Sequence, residues 1–206
     1  MSTALTLYYA PGTCALAVRI ALEEAQADYT LRLLDFSAQE QRGADYLAIN
    51  PKGRVPALAT EHGVLTEAPA LLLYVAQRFP QAGLAPTEPF ALARLQELHS
   101  YLASTVHVAH AHGRRAARWA DEPEAQAAMQ RKVAANMTEC FALIECHYLP
   151  TGPWVLGDRY SVGDAYLYTV GTWLRSDGVD IAQFPRVHAH AQRMAERPAV
   201  QRAQAA

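Results

Sequence analysis

Apolar and polar positions change period once along this chain. Residues 3–9, rich in leucine and tyrosine, read as a strand; Pro11-Gly12 marks a turn, and Leu16, Ile20 and the following residues to Glu24 continue with helical spacing. Residues 29–34 form a second strand pattern, so the opening is a βαβ unit. A short helix is predicted at 44–49, stopped by Asn50-Pro51, because a residue before proline is biased away from the α region. Two short strands follow at 55–60 and 64–66, joined through His62-Gly63 as a hairpin, and then a helix over 68–79 that ends at Phe79-Pro80. Residues 81–89 hold a glycine and two prolines without apolar period and read as a linker. Beyond residue 90 no convincing strand remains. Long helical stripes take over, one through Leu92, Leu95, Leu98 or His99, Leu102 and Val106, another through Met129, Val133, Met137, Phe141, Ile144 and Tyr148. Ser161-x-x-Asp164 is an explicit helix start, with the serine oxygen and the acid each able to satisfy an end amide. The last six residues, alanine-rich and polar, are expected to fray.

Composition narrows this picture. With 206 residues, 51% hydrophobic and 18% charged, the chain is an ordinary folded protein, which excludes disordered and fibrous classes. Eighteen basic against twenty acidic side chains leave a formal charge of -2, so there is no global positive field for nucleic acid. The longest apolar stretch, residues 68–76, is far short of the roughly 20 residues of a spanning helix, and no basic segment followed by an apolar run marks an export signal. A cytoplasmic protein with no membrane partner is expected. Three cysteines, Cys14, Cys140 and Cys146, cannot all pair, and about 9 Å of helical rise separates the last two; a reducing compartment fits.

The succession of βαβ unit, short helix, ββα unit, linker and helical remainder resembles the cytosolic glutathione S-transferases, and four motifs carry the likeness. Leu7-Tyr8-Tyr9-Ala10-Pro11-Gly12-Thr13-Cys14 is similar to the opening of the bacterial beta class, with a cysteine at the mouth of the first helix. Asn50-Pro51-Lys52-Gly53-Arg54-Val55-Pro56-Ala57-Leu58 resembles the family's loop before its third strand, and Leu65-Thr66-Glu67-Ala68-Pro69-Ala70 its glutathione-holding turn. The box from Ser161 to Asp164, followed by Ala165, resembles the family's signature in the helical domain. The resemblance implies an α/β thioredoxin-like N-terminal domain (1–80), a linker (81–89) and an all-α helical-bundle C-terminal domain (90–206). It also implies a homodimer, and glutathione as co-substrate with no tightly bound cofactor. The activity it implies is attack by the glutathione thiolate on a small apolar electrophile, a detoxification chemistry. Two other activities stay open: a non-catalytic ligand-binding protein of the same fold, and a thiol transferase acting through Cys14.

That chemistry needs a sulfur anion, and an ordinary thiol, with a pKa near 8.5, is mostly protonated at pH 7. A helix N-terminus offers free N–H groups and partial positive charge, and Thr13-Cys14-Ala15 sits where the first helix begins. On residues alone Cys14 reads equally as a small buried hydrophobe. Carried over from the family, Cys14 and His107 tune the sulfur and Tyr9 is a hydroxyl donor. Val55 before a cis Pro56 offers its backbone to the cysteinyl part of glutathione; Glu67, the Ala68 amide and Lys52 complete the peptide site. The chain departs from the beta class at Ala15 and Ala68, where serines are common, and at Phe36, where a lysine is expected. On a continuous helix His107, Arg114 and Arg118 fall within about 20° of one line, with His110 beside them. This stripe reads either as a solvated face or, with Trp173, as a cleft for a second substrate or an anion. A metal site at His107, His110 and His112 is disfavoured, because no carboxylate or cysteine shares their spacing.

Overall fold

A computed structural model describes residues 5–149 and 152–205. Two units separate by their contacts, Met1–Pro86 together with Glu196–Ala206, and Thr87–Ala195. The expected C-terminal domain, 90–206, differs from this division at its end, where the closing segment groups with the first unit. The expected linker, 81–89, overlaps a short 3-10 turn, Pro80–Ala82, and takes in Pro89, the first residue of the next helix.

In the first unit, strands β1 (Leu5–Tyr9), β2 (Tyr29–Leu33), β3 (Ala57–Thr60) and β4 (Gly63–Thr66) form a sheet of order β2-β1-β3-β4. Thr3, expected in the first strand, lies outside the described residues. β1 runs parallel to β2 and antiparallel to β3, and β3 to β4 is antiparallel, the βαβ-plus-hairpin arrangement expected. Along β1 the period of two turns Leu5, Leu7 and Tyr9 into the core and leaves Thr6 and Tyr8 half-buried on the other face. Helices α1 (Ala15–Glu24), α2 (Ala44–Ile49) and α3 (Ala68–Arg78) match the spacing read from sequence to within a residue or so. Every residue of α1 from Ala15 to Leu22 is buried. A helix enclosed on all sides must be apolar on all sides, and its one charged exception in that run, Arg19, shows what encloses it. The Arg19 guanidinium lies 5.5 Å from the centre of the Tyr9 ring and donates at 3.3 Å to the Arg202 carbonyl of the closing helix, Pro198–Gln204. Two ion pairs fasten the same segment, Arg202 to Glu23 at 2.7 Å and Arg197 to Glu24 at 2.5 Å. The expected fraying of residues 201–206 is therefore overturned within the described residues, since Val200 and Ala203 are fully buried against the unit.

The helical unit comprises α4 (Pro89–Tyr101), α5 (His107–Arg114), α6 (Pro123–Leu143), α7 (Val162–Gly171) and α8 (Pro185–Ala195). Wider π turns at Leu102–Val106 and Ile144–Tyr148 extend α4 into α5 and prolong α6. Both apolar stripes face inward, with Leu95, Leu98, His99, Leu102, Val106, Val133, Met137, Phe141, Ile144 and Tyr148 buried. α7 is the enclosed helix of this unit, buried from Val162 to Val170. At its start the expected capping box is present. Ser161 Oγ accepts from the Gly163 amide at 3.2 Å and Asp164 Oδ2 accepts from the Ser161 amide at 2.8 Å. Asp164, with no exposed surface, also takes the Val155 amide at 2.9 Å and His190 Nε2 at 3.0 Å through its other oxygen. Gly163 is required by close approach, because a Cβ there would meet Leu95 Cδ1 at 2.8 Å. The closing helix in the first unit, Pro198–Gln204, is hereafter α9.

Two stability predictions follow from the helical core. Asp164→Ala strands a buried histidine, the buried Ser161 amide and the half-buried Val155 amide and is expected to lower unfolding stability by about 3–5 kcal/mol, whereas Ser161→Ala should cost about 1 kcal/mol. Urea unfolding followed by circular dichroism measures both, and equal effects would refute the central role of the carboxylate. His99, edge-on to Tyr166, has its pKa lowered to about 4 by burial, opposed less strongly by the Val162 backbone. The folded state thus binds fewer protons than the unfolded state between about pH 6.5 and 4, so stability must fall as pH drops through that window. His99→Phe should flatten that part of the stability–pH curve; an unchanged slope in parallel urea titrations would contradict it.

Candidate functional site

The β1–α1 connection is built around one hydroxyl. Thr13 Oγ1 donates to the Ala10 carbonyl at 2.7 Å and accepts from the Ala15 amide at 3.3 Å, which satisfies one first-turn amide of α1. Cys14 occupies the N-cap of α1, is buried, and directs its Sγ to the Val55 carbonyl at 3.8 Å. The Val55-Pro56 bond is cis, as the resemblance implied. Both residues stand just ahead of the β1–β3 ladder, which begins at the Tyr8–Ala57 pair. Asn50 and Tyr46 hold this approach by donating to the Arg54 carbonyl at 2.7 and 2.6 Å.

Glu67 closes the set. It is the N-cap of α3 at φ 74°, a left-handed value for a residue with a Cβ, which costs of order 1–3 kcal/mol and collects at functional positions. Ala68 follows it as the first residue of α3, with Pro69 next. The Glu67 carboxylate meets Lys52 Nζ at 2.5 Å, and the same ammonium donates to Thr66 Oγ1 at 2.9 Å. The pair is largely exposed, so it contributes little to stability. It does mean that the lysine neutralises the very carboxylate expected to receive an ammonium. Cys14, Lys52, Val55, Pro56, Glu67 and Ala68 are thus all carried by the first unit.

Tyr9 is corrected. Strand alternation turns it into the core with Leu5 and Leu7, only 5% exposed, where burial raises its pKa and the Arg19 guanidinium opposes that rise. Burial in the core beside Arg19, on the strand face of Leu5 and Leu7, removes Tyr9 from the expected role of hydroxyl donor. Phe36 lines a cavity of about 540 Å³ with Ala10, Pro11 and Leu34, an apolar patch where the beta class was expected to carry lysine.

In the helical unit the basic stripe is also corrected. α5 ends at Arg114, Arg115 leaves helical geometry at φ -133°, and residues 116–118 form a 3-10 turn, so Arg118 loses register with His107. Arg114 and Arg118 are exposed. His110 is paired through Nδ1 with both oxygens of Asp177, at 2.9 and 2.8 Å, which puts a carboxylate beside the proposed anion strip. Trp173 is the residue that organises this cluster: it stacks on His110 at 4.4 Å and 19°, with His107 tilted at 4.9 Å on the same indole. Asp177 was missed from sequence because it lies 67 positions from its partner. Among the described residues no group of three or more His, Cys, Asp or Glu side chains is placed to hold a metal ion, and no helix is long and apolar enough to cross a membrane.

Cys146 is a further correction. The stripe that buries Cys140 leaves Cys146 exposed, because in the π turn it stands about half a turn from buried Ile144. None of the three cysteines is joined in a disulfide.

Comparison with known proteins agrees with this arrangement. The profile described as "Glutathione S-transferase, N-terminal domain" matches residues 3–77, and that described as "Glutathione S-transferase, C-terminal domain" matches residues 91–198. Glutathione S-transferase GstA of Escherichia coli O157:H7 is 34% identical over 200 residues, covering 96% of both chains. A maleylacetoacetate isomerase of Rhizobium meliloti is 30% identical over 206 residues, covering 98% of this chain and 97% of its own. Among solved structures, a glutathione transferase homologue from Sulfitobacter with bound glutathione superposes with a TM-score of 0.95 at 47% identity, covering 98% of this chain and 97% of that one. A bacterial beta class glutathione S-transferase of Sphingomonas chungbukensis gives a TM-score of 0.82 at 32% identity, covering 96% of each chain. With a thioredoxin-like unit that carries the cysteine, the cis-proline loop and the strained acidic turn, followed by a capped helical unit, and with both halves matched, this chain belongs to the glutathione S-transferase family.

Proposed function

We propose that the protein joins the thiolate of glutathione to small apolar electrophiles, with glutathione as a co-substrate and no tightly bound cofactor. The observation that carries this reading is the gathering of Cys14, the Val55-Pro56 backbone and the strained Glu67-Ala68 turn on one unit. In the proposed binding mode Val55 pairs with the cysteinyl backbone as an added strand would. The Ala68 amide meets the γ-glutamyl carboxylate at the positive end of α3. Glu67 takes the ammonium, which draws it away from Lys52. Cys14 and His107 are the residues proposed to tune the sulfur. Position and electrostatic stabilisation of the anion then carry the rate. A homodimer working in the cytoplasm on toxic electrophiles is the accompanying proposal.

The relative named maleylacetoacetate isomerase favours one second reading. A thiolate can add to an activated double bond, allow rotation about the resulting single bond, and leave again to restore the alkene, with no net change of atoms. Parallel assays with an aryl halide and with an activated cis-alkene separate conjugation from isomerisation.

Calorimetry should detect reduced glutathione binding in the millimolar range or tighter, and Glu67→Gln should weaken it at least about ten-fold, the scale of a hydrogen bond to a charged group. No heat at several millimolar glutathione would overturn the reading. Thiol mapping supplies a second check. In the free protein a bulky maleimide should label Cys146 first, ahead of buried Cys14 and Cys140, and Cys146→Ser should abolish the fast phase. A fast phase that survives in Cys146→Ser, located by peptide mapping to Cys14 or Cys140, would show that one of the buried sulfurs is the more accessible.

A further inference from the structure

The thioredoxin-like unit has a second concavity, remote in role from the residues assigned to glutathione. Its volume is about 470 Å³, within the span of roughly 300–1,000 Å³ that small-molecule sites occupy. The floor is the outer face of the sheet. There the parallel register sets Thr6 beside Thr30 and Tyr8 beside Arg32, all on the side away from Leu5 and Leu7. The wall is Tyr46 of α2, whose ring lies 5.5 Å from that of Tyr8 at a tilt of 53° and is held by its hydroxyl, which donates to the Arg54 carbonyl. None of Cys14, Lys52, Val55, Glu67 or Ala68 lines this groove.

Its polar groups are placed for a particular kind of molecule. Among the described residues the hydroxyls of Thr6, Thr30 and Tyr8 have no hydrogen-bond partner, so the floor offers three groups able to accept from N–H donors. Glu40 lies 4.0 Å from Arg32 and already accepts from the Asp35 amide at 2.8 Å. Asp45, exposed at the mouth, has no partner among the described residues. Two carboxylates against one guanidinium leave the groove negative, and the faces of two tyrosine rings add to that preference.

We propose that this groove binds a planar aromatic cation, its ring against Tyr8 and Tyr46, its N–H donors on the threonine hydroxyls and its charge toward Asp45. Such a site would let the protein hold a cationic aromatic molecule without using the glutathione residues. The test is fluorescence titration of the full chain with proflavine, a flat aromatic cation, alongside anilinonaphthalene sulfonate, a flat aromatic anion. Proflavine should bind saturably and resist displacement by S-hexylglutathione. Asp45→Asn should weaken it about five-fold, the scale of one exposed charge contact. Thr30→Arg, which sets a cation in the floor at an exposed position, should abolish it. Neither variant should change glutathione binding, circular dichroism or the response to the anionic probe. The proposal is overturned if proflavine fails to saturate, if both variants bind it as the parent does, or if S-hexylglutathione displaces it. Because glutathione affinity is measured on the same samples, failure here is distinguishable from failure of the transferase reading.

Discussion

The enclosure of α1 is the constraint on which the thioredoxin-like unit depends. A ten-residue helix buried from Ala15 to Leu22 has no solvent face along that length, so its position is set from all sides by the core face of β1, by α3 and by α9. Dense packing of this kind leaves little freedom to shift. The N-terminus of that helix is where Cys14 sits, and its Sγ consequently meets the Val55 carbonyl across 41 positions of chain. α9 is therefore part of what positions the Cys14 sulfur. Arg19 makes the dependence explicit: a buried guanidinium requires compensation, and it draws on the Tyr9 ring and on the Arg202 carbonyl, 183 positions away.

The helical unit is organised on a different plan. Its enclosed helix, α7, is held at its beginning by a single carboxylate that serves its own helix start, the Val155 amide and His190. A buried charge of this sort is tolerated only when its lone pairs are occupied, and here they are. The Trp173 cluster shows the same economy with aromatic groups, where one indole orders two histidines while Asp177 fixes the ring orientation of one of them.

At the turn into α3, backbone strain and an exposed ion pair meet on one residue. Glu67 is held in a backbone region that a side chain rarely adopts, while its carboxylate is balanced by an exposed lysine. The strained backbone sets the direction in which α3 starts, and the exposed ion pair contributes little to stability. The departures at Ala15 and Ala68 remove hydroxyls but leave the backbone amides, and at Ala15 the Thr13 hydroxyl already engages the amide.

Local pattern by itself determined the elements of this protein: strand alternation in β1, the apolar stripes of α4 and α6, the proline-marked helix ends and the capping box at Ser161 all act within a few residues, so the chain displays them directly. The motifs around Cys14, Pro56 and Glu67 were legible for the same reason, since each is a continuous segment. Only the tertiary structure decided which way those elements face and what they meet. Tyr9 read as a donor until strand alternation in a packed sheet turned it toward Arg19, and the basic stripe read as continuous until Arg115 broke the helix. The closing residues, polar and alanine-rich, gave no sign of packing because their stability comes from α1, at the opposite end of the chain. Asp177 and the groove beneath Tyr46 were invisible likewise, for pairing across dozens of residues leaves no period in the sequence and arises only when folding brings the groups together.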